Sequence, residues 1–111
     1  MTNYKKWDII LVDFPFTNMR TTKKRPALII SPDTYNKSRD VIVAFITSNL
    51  NTVPRLGDYK IREWKKANLP KPSMIRMKFA TISKSVIDKK LGRLNKKDIE
   101  SFSSLLLNFF G

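Results

Sequence analysis

Three short runs of branched apolar residues, each cut off by proline or a polar cluster, restrict this chain to a mainly β fold. Asp8-Ile-Ile-Leu-Val-Asp-Phe14 stops at Pro15, Ala27-Leu-Ile-Ile30 stops at Ser31-Pro32-Asp33, and Val41-Ile-Val-Ala-Phe-Ile-Thr47 gives way to Ser48-Asn49. Side chains branched at Cβ are stiff at χ1 and suit a pleated, half-buried surface better than a helix, so these runs predict three core strands. Residues 48–72 lose any period, broken by Asn49, Asn51, Pro54, Gly57, Pro70 and Pro72, and read as a long basic loop holding at most one short strand over Asp58–Arg62. Alternation from Ser73 to Lys78 predicts a strand with one wet face, and a further short strand is expected over Lys90–Leu94.

One helix closes the chain. Asn95 is a good N-cap, Asp98 and Glu100 lie in or near the positive first turn, and Ile99, Phe102, Leu105, Leu106 and Phe109 make one apolar stripe. The stripe should pack on the sheet. Short strands followed by a terminal helix predict a small β-barrel with helical cover.

The chain has 111 residues, which fits one domain over 1–111 able to bury roughly 60 to 70% of its unfolded surface without cross-links. It has no cysteine and no histidine. That excludes disulfides and thiolate zinc sites, removes the commonest metal ligand, and takes away the usual neutral-pH base. No metal or cofactor is expected. Met1–Val12 has no signal-peptide pattern and no stretch approaches the roughly 20 apolar residues of a membrane span, so a cytoplasmic location is expected.

Charge points to the partner. Lys and Arg number 22 against 9 Asp and Glu, a net of +13, enough to steer polyanions and to make nucleic-acid affinity fall with salt. Residues 51–111 carry 14 basic and 5 acidic side chains, against 8 and 4 in residues 1–50, so the second half supplies most of the field. Nucleic acid or an acidic protein fits this balance; so does plain solubility.

Lys23-Lys24-Arg25-Pro26-Ala27-Leu28-Ile29-Ile30-Ser31 launches a strand out of a cationic segment, with one arginine at the junction. Proline disfavours the helical region for the residue before it, so Arg25 should be extended and pre-organised to meet a phosphate. Arg25 is the leading candidate. Arg20, Lys23 and Lys24 flank it and either track a polyanion backbone or form a solvated basic loop. Trp7, Tyr59 and Trp64 are core or interface aromatics or base-stacking platforms, while Phe102, Phe109 and Phe110 are best read as helix packing with any surplus face open to a second protomer.

In order along the chain, Asp8-Ile-Ile-Leu-Val-Asp-Phe-Pro-Phe-Thr17, Lys24-Arg-Pro-Ala-Leu-Ile-Ile-Ser31, Val41-Ile-Val-Ala-Phe-Ile-Thr-Ser48, Ser73-Met-Ile-Arg76, Ala80-Thr-Ile-Ser-Lys-Ser85 and Leu91-Gly-Arg-Leu94 resemble the MazF/PemK family of type II toxins. The resemblance runs almost end to end. It implies a small Src-homology-3-like barrel of the plasmid maintenance toxin type, a homodimer, metal-independent cleavage of single-stranded RNA at short motifs, and an acidic antitoxin whose complex with the toxin binds operator DNA. The family's catalytic arginine and threonine fall on Arg25 and Thr47, and Arg76, in the Ser73-Met-Ile-Arg motif, becomes a candidate RNA contact beside Arg20, Lys23 and Lys24. Cleavage would use the neighbouring 2′-hydroxyl and give a cyclic phosphate and a 5′-hydroxyl.

The chain departs from the family pattern twice. Trp7 stands where glycine is usual before the opening aspartate, and Asn18-Met19-Arg20-Thr21-Thr22-Lys23 replaces a glycine-serine-glutamate-glutamine element, so loop-borne RNA specificity does not carry over. Two other readings compete: a catalytically silent nucleic-acid-binding module on the same barrel, and a CcdB-like gyrase poison, against which the joint retention of Arg25 and Thr47 argues.

Overall fold

The run Val41–Thr47 sits near the middle of the sheet, where its branched side chains are covered on both faces. A computed structural model describes residues 3–15 and 22–111. Its strands are β1 (Asp8–Pro15), β2 (Thr22–Ile29), β3 (Asp40–Thr47), β4 (Tyr59–Lys60), β5 (Met74–Ser83) and β6 (Ile87–Arg93), followed by the helix α1 (Lys96–Phe110). All pairings are antiparallel, in the order β4-β5-β3-β2-β1-β6.

That order forces the sheet to curl. β5 and β6 stand four strand spacings apart, roughly 19 Å in a flat sheet. Yet only the 3₁₀ turn Lys84–Val86 joins them, and the four residue steps from Ser83 to Ile87 reach at most about 14 Å. The sheet must therefore roll toward closure, which is the barrel expected from the sequence.

The apolar stretches of β1, β2 and β3 are covered on both faces, which is why the sequence shows continuous runs there instead of clean alternation. Ile9, Leu28, Ala44, Ile46 and Ile75 share one core with Phe102 of α1; Ile10, Val12, Ala27, Ile29, Val41, Val43 and Ile82 make the other. Trp7, Tyr59 and Trp64 pack against the first core, so all three are core aromatics. Tyr59 and Trp7 meet Phe102 at ring-centroid distances of 5.8 and 6.3 Å.

The strand boundaries differ from expectation in one instructive place. Lys23 and Lys24, for which the sequence allows a solvated basic loop, belong to β2, because they pair with Phe14 and Asp13 of β1. Main-chain pairing with a partner strand overrides the polar composition of the segment. β5 and β6 are likewise longer than their apolar signals.

Helix α1 begins as read: the Asn95 side chain accepts from the Lys97 N–H at 3.1 Å. Phe102 is fully buried and Ile99 and Leu106 lie on the core, but the stripe ends before Phe109, and Leu107 and Phe110 are 76% and 69% exposed. Asp98 does more than oppose the helix dipole. Fully buried, it accepts from the Tyr59 hydroxyl at 2.6 Å and from the Arg62 and Glu63 N–H groups at 2.9 and 3.0 Å, tying α1 to the chain 36 residues upstream.

Candidate functional site

Alternation along β2 decides which of its cations share a face. Lys23, Arg25, Ala27 and Ile29 stand on the side of the second core, whereas Lys24 faces away and ion-pairs with Asp88 of β6 at 3.1 Å, with Asp13 4.0 Å distant. Ala27 pairs with Phe45 in the β2–β3 register, and continuing that antiparallel count by two residues sets Arg25 across from Thr47. Both residues lie at the rim of the second core.

A cleft of about 550 Å³ opens there. Lys23 and Arg25 enter from β2, Phe45 and Thr47 from β3, Asn49, Thr52 and Arg55 from the following loop, and Arg76 and Lys78 from β5. The β3–β5 pairing shifts between Ala44 opposite Phe79 and Ile46 opposite Ile75, so β5 spends two extra residues opposite Phe45. This bulge carries Arg76 and Lys78 to the cleft, a common use of bulges beside active sites.

Five cations line the cleft: Lys23, Arg25, Arg55, Arg76 and Lys78. Arg76 is committed elsewhere. Its Nη2 donates to the Thr52 hydroxyl at 2.7 Å, the Val53 carbonyl at 3.1 Å and the Asp58 carboxylate at 3.2 Å. Both members of the Arg76–Asp58 pair are largely buried, with side chains 13% and 11% exposed. Thr47 is half-buried, and its hydroxyl oxygen accepts from the Asn49 N–H at 3.1 Å. One lone pair is thereby occupied, and the O–H stays available as a donor.

Of the residues singled out from sequence, Arg25, Thr47, Lys23 and Arg76 come together; Lys24 does not, and Arg20 lies outside the described residues. Arg55, Lys78, Asn49, Thr52 and Asp58 were not foreseen. The segment 48–58 directly follows Thr47, and that adjacency was the available signal. Among the described residues no three carboxylate, histidine or cysteine groups converge as metal ligands, and no helix is long and apolar enough to cross a membrane.

The cleft can hold an extended anion: among the described residues its lining carries five cations and the Thr47 hydroxyl and no carboxylate. The same barrel occurs in solved toxin structures. An endoribonuclease from a mycobacterial species, in complex with its cognate antitoxin, superposes with a TM-score of 0.77 at 15% identity, covering 100% of this chain and 96% of that one. A MazE-MazF structure from Deinococcus radiodurans gives 0.74 at 15% identity, with 99% and 98% covered. The Mycobacterium tuberculosis toxin MazF-mt6 gives 0.70 at 20% identity, with 93% and 95% covered.

Identities this low speak for the fold alone; membership rests on the sequence itself. The model of the PemK-like, MazF-like toxins of type II toxin-antitoxin systems matches residues 5–110, and the chain belongs to that family. No curated protein matches its sequence significantly.

Proposed function

We propose that this toxin is an endoribonuclease that cuts single-stranded RNA at short motifs without a metal ion. The observation that carries this reading is the meeting of Arg25, Thr47 and Lys23 in one open cationic cleft. The endoribonuclease named in complex with its antitoxin has the same barrel, which supports it. The 2′-oxygen attacks the adjacent phosphorus and its proton leaves to solvent, while the bond from phosphorus to the 5′-oxygen breaks and that oxygen is protonated. A 2′,3′-cyclic phosphate and a 5′-hydroxyl remain.

Arg25 clamps the non-bridging oxygens as negative charge builds on them, a job suited to a planar cation that never deprotonates. Thr47 donates its O–H to the same group, and Lys23 holds a neighbouring phosphate. Lys24, paired with Asp88, stays out of the cleft and belongs to the barrel wall. Arg20 follows the substrate only if its segment approaches the cleft.

The partner protein in this reading is an acidic antitoxin that masks the +13 surface, and the complex of the two binds operator DNA. The toxin works in the cytoplasm as a homodimer. Its second copy seats on the exposed aromatic end of α1, where Phe109 and Phe110 meet edge to face with ring centroids 5.3 Å apart and reach Phe79 of β5 at 6.4 and 5.4 Å.

The test is incubation with a long single-stranded RNA in EDTA, comparing wild type with Arg25→Ala. Discrete cuts that weaken by about 10²- to 10³-fold in the variant are expected, the usual loss on removing a donor at developing charge. Equal cutting by the variant overturns the role of Arg25. Salt-sensitive binding without any cutting would instead favour the silent binding module.

A further inference from the structure

The loop between β3 and β4 walls the cleft, yet no strand pairing holds it before Tyr59. Its internal hydrogen bonds are short-range. The Asn51 N–H donates to the Asn49 side chain at 3.2 Å, the Thr52 hydroxyl to the Asn49 carbonyl at 3.4 Å, and the Arg55 N–H to the Asp58 carboxylate at 2.9 Å. Local turns of this kind fix the shape of a segment but not its position against the sheet. Gly57 packs closely on Met77 and Phe109, and Arg76 supplies the polar hold: one nitrogen of its guanidinium on β5 gathers Thr52, Val53 and Asp58 from along the loop.

We propose that the Arg76–Asp58 pair is a latch that presses the Asn49–Asp58 loop against the barrel, so that Arg76 is a positioning residue and the acidic Asp58 a determinant of RNA affinity. This rests on the reading of the cleft as the RNA site. The charge of Arg76 is spent on Asp58, so it does not neutralise a phosphate; its work is to place Asn49, Thr52 and Arg55 along the substrate. Asp58 also holds Arg55 directly, its backbone N–H donating to the Arg55 carbonyl at 3.1 Å.

The latch and a direct phosphate contact predict opposite signs. If Arg76 gripped phosphate, deleting Asp58 would free the guanidinium, raise the net charge, and tighten binding. If the pair is a latch, deleting Asp58 releases the loop and weakens binding despite the added positive charge.

The experiment measures binding of a 2′-O-methyl RNA, which cannot be cleaved, by wild type and by Asp58→Ala, Arg76→Met, Arg76→Lys, Lys23→Met and the Asp58→Ala/Arg76→Met double variant. Thermal melts run alongside. Asp58→Ala should raise Kd about tenfold, and the double variant should be no worse than the poorer single one, as for residues acting as a unit. Arg76→Lys, which keeps the charge but not the three-point grip, should weaken binding like Arg76→Met and serves where Asp58→Ala fails to fold. The slope of log Kd against log salt should be unchanged in Arg76→Met and smaller by about 0.7 in Lys23→Met.

Tighter or unchanged binding by Asp58→Ala, wild-type binding by Arg76→Lys, or a reduced slope in Arg76→Met overturns the latch. Because the RNA is not cut, a wild type that binds but never cleaves overturns only the endoribonuclease reading. A wild type that does not bind overturns both.

Discussion

The Thr47 hydroxyl oxygen takes the Asn49 N–H at 3.1 Å, so the residue at the end of β3 also starts the loop that walls the cleft. With its oxygen occupied as an acceptor, this hydroxyl can turn its O–H to a second partner. Thr47→Ser keeps the hydroxyl as acceptor and donor and should retain activity to within a few-fold. Thr47→Val keeps the branched shape but loses donor and acceptor, and kcat on a short RNA should fall about 10²-fold, as for other single donors to developing charge. Equal rates for the two variants would remove Thr47 from the chemistry.

Trp7 holds φ at 76°, the left-handed region that glycine enters without strain, and its backbone still bonds Ile29 at 2.7 Å and Leu94 at 2.9 Å. Tryptophan bears this conformation while packing its ring on Phe102. Trp7→Ala and Trp7→Gly both lose the ring, but only glycine relieves the backbone. Trp7→Gly should therefore be the more stable of the two by about 1 kcal/mol in denaturant titration, against the usual order of these residues.

Burial, then the hydrogen bond to the Asp98 carboxylate and its charge, push the Tyr59 phenol up from 10.0 to about 12. The folded chain keeps this proton when the unfolded chain has lost it. The contribution is full below pH 10 and is lost as pH rises from there through about 12. Wild type should show this alkaline loss in melts across pH 9 to 12, and Tyr59→Phe should not. Below pH 9 the phenylalanine variant should be less stable by about 1.5 to 3 kcal/mol, the range for a hydrogen bond to a charged group.

The aromatic end of α1 offers a cheap test of assembly. Phe110→Glu introduces a charge on the patch that the proposed homodimer covers, while touching neither core. Analytical ultracentrifugation should find a dimer for wild type and a monomer for the variant, with circular dichroism unchanged.

Much of this architecture was legible because it depends on local rules. The runs from Asp8, Ala27 and Val41 announced strands, Asn95 announced the helix, and Pro26 announced an extended Arg25, though three residues inside β2 and not at its entry. The start of β2 was not legible, since Thr22–Lys24 is polar and becomes a strand only through pairing with β1. Nor was the fate of neighbouring cations. Lys23, Lys24 and Arg25 look alike in sequence, yet a single alternation sends Lys24 to Asp88 and the other two to the cleft. Arg76 and Asp58 are separated by 18 positions, and only the β5 bulge and the fold of the loop bring them into contact.

Asp98 has a consequence for the order of events in the life of the chain. The middle of the polypeptide, from Tyr59 to Glu63, finishes its hydrogen bonding only when a carboxylate close to the C-terminus arrives, together with the Phe102 ring that closes the core. A nascent chain still short of α1 has neither. Docking of α1 is therefore the step that completes both the core and the hydrogen bonding of the middle segment.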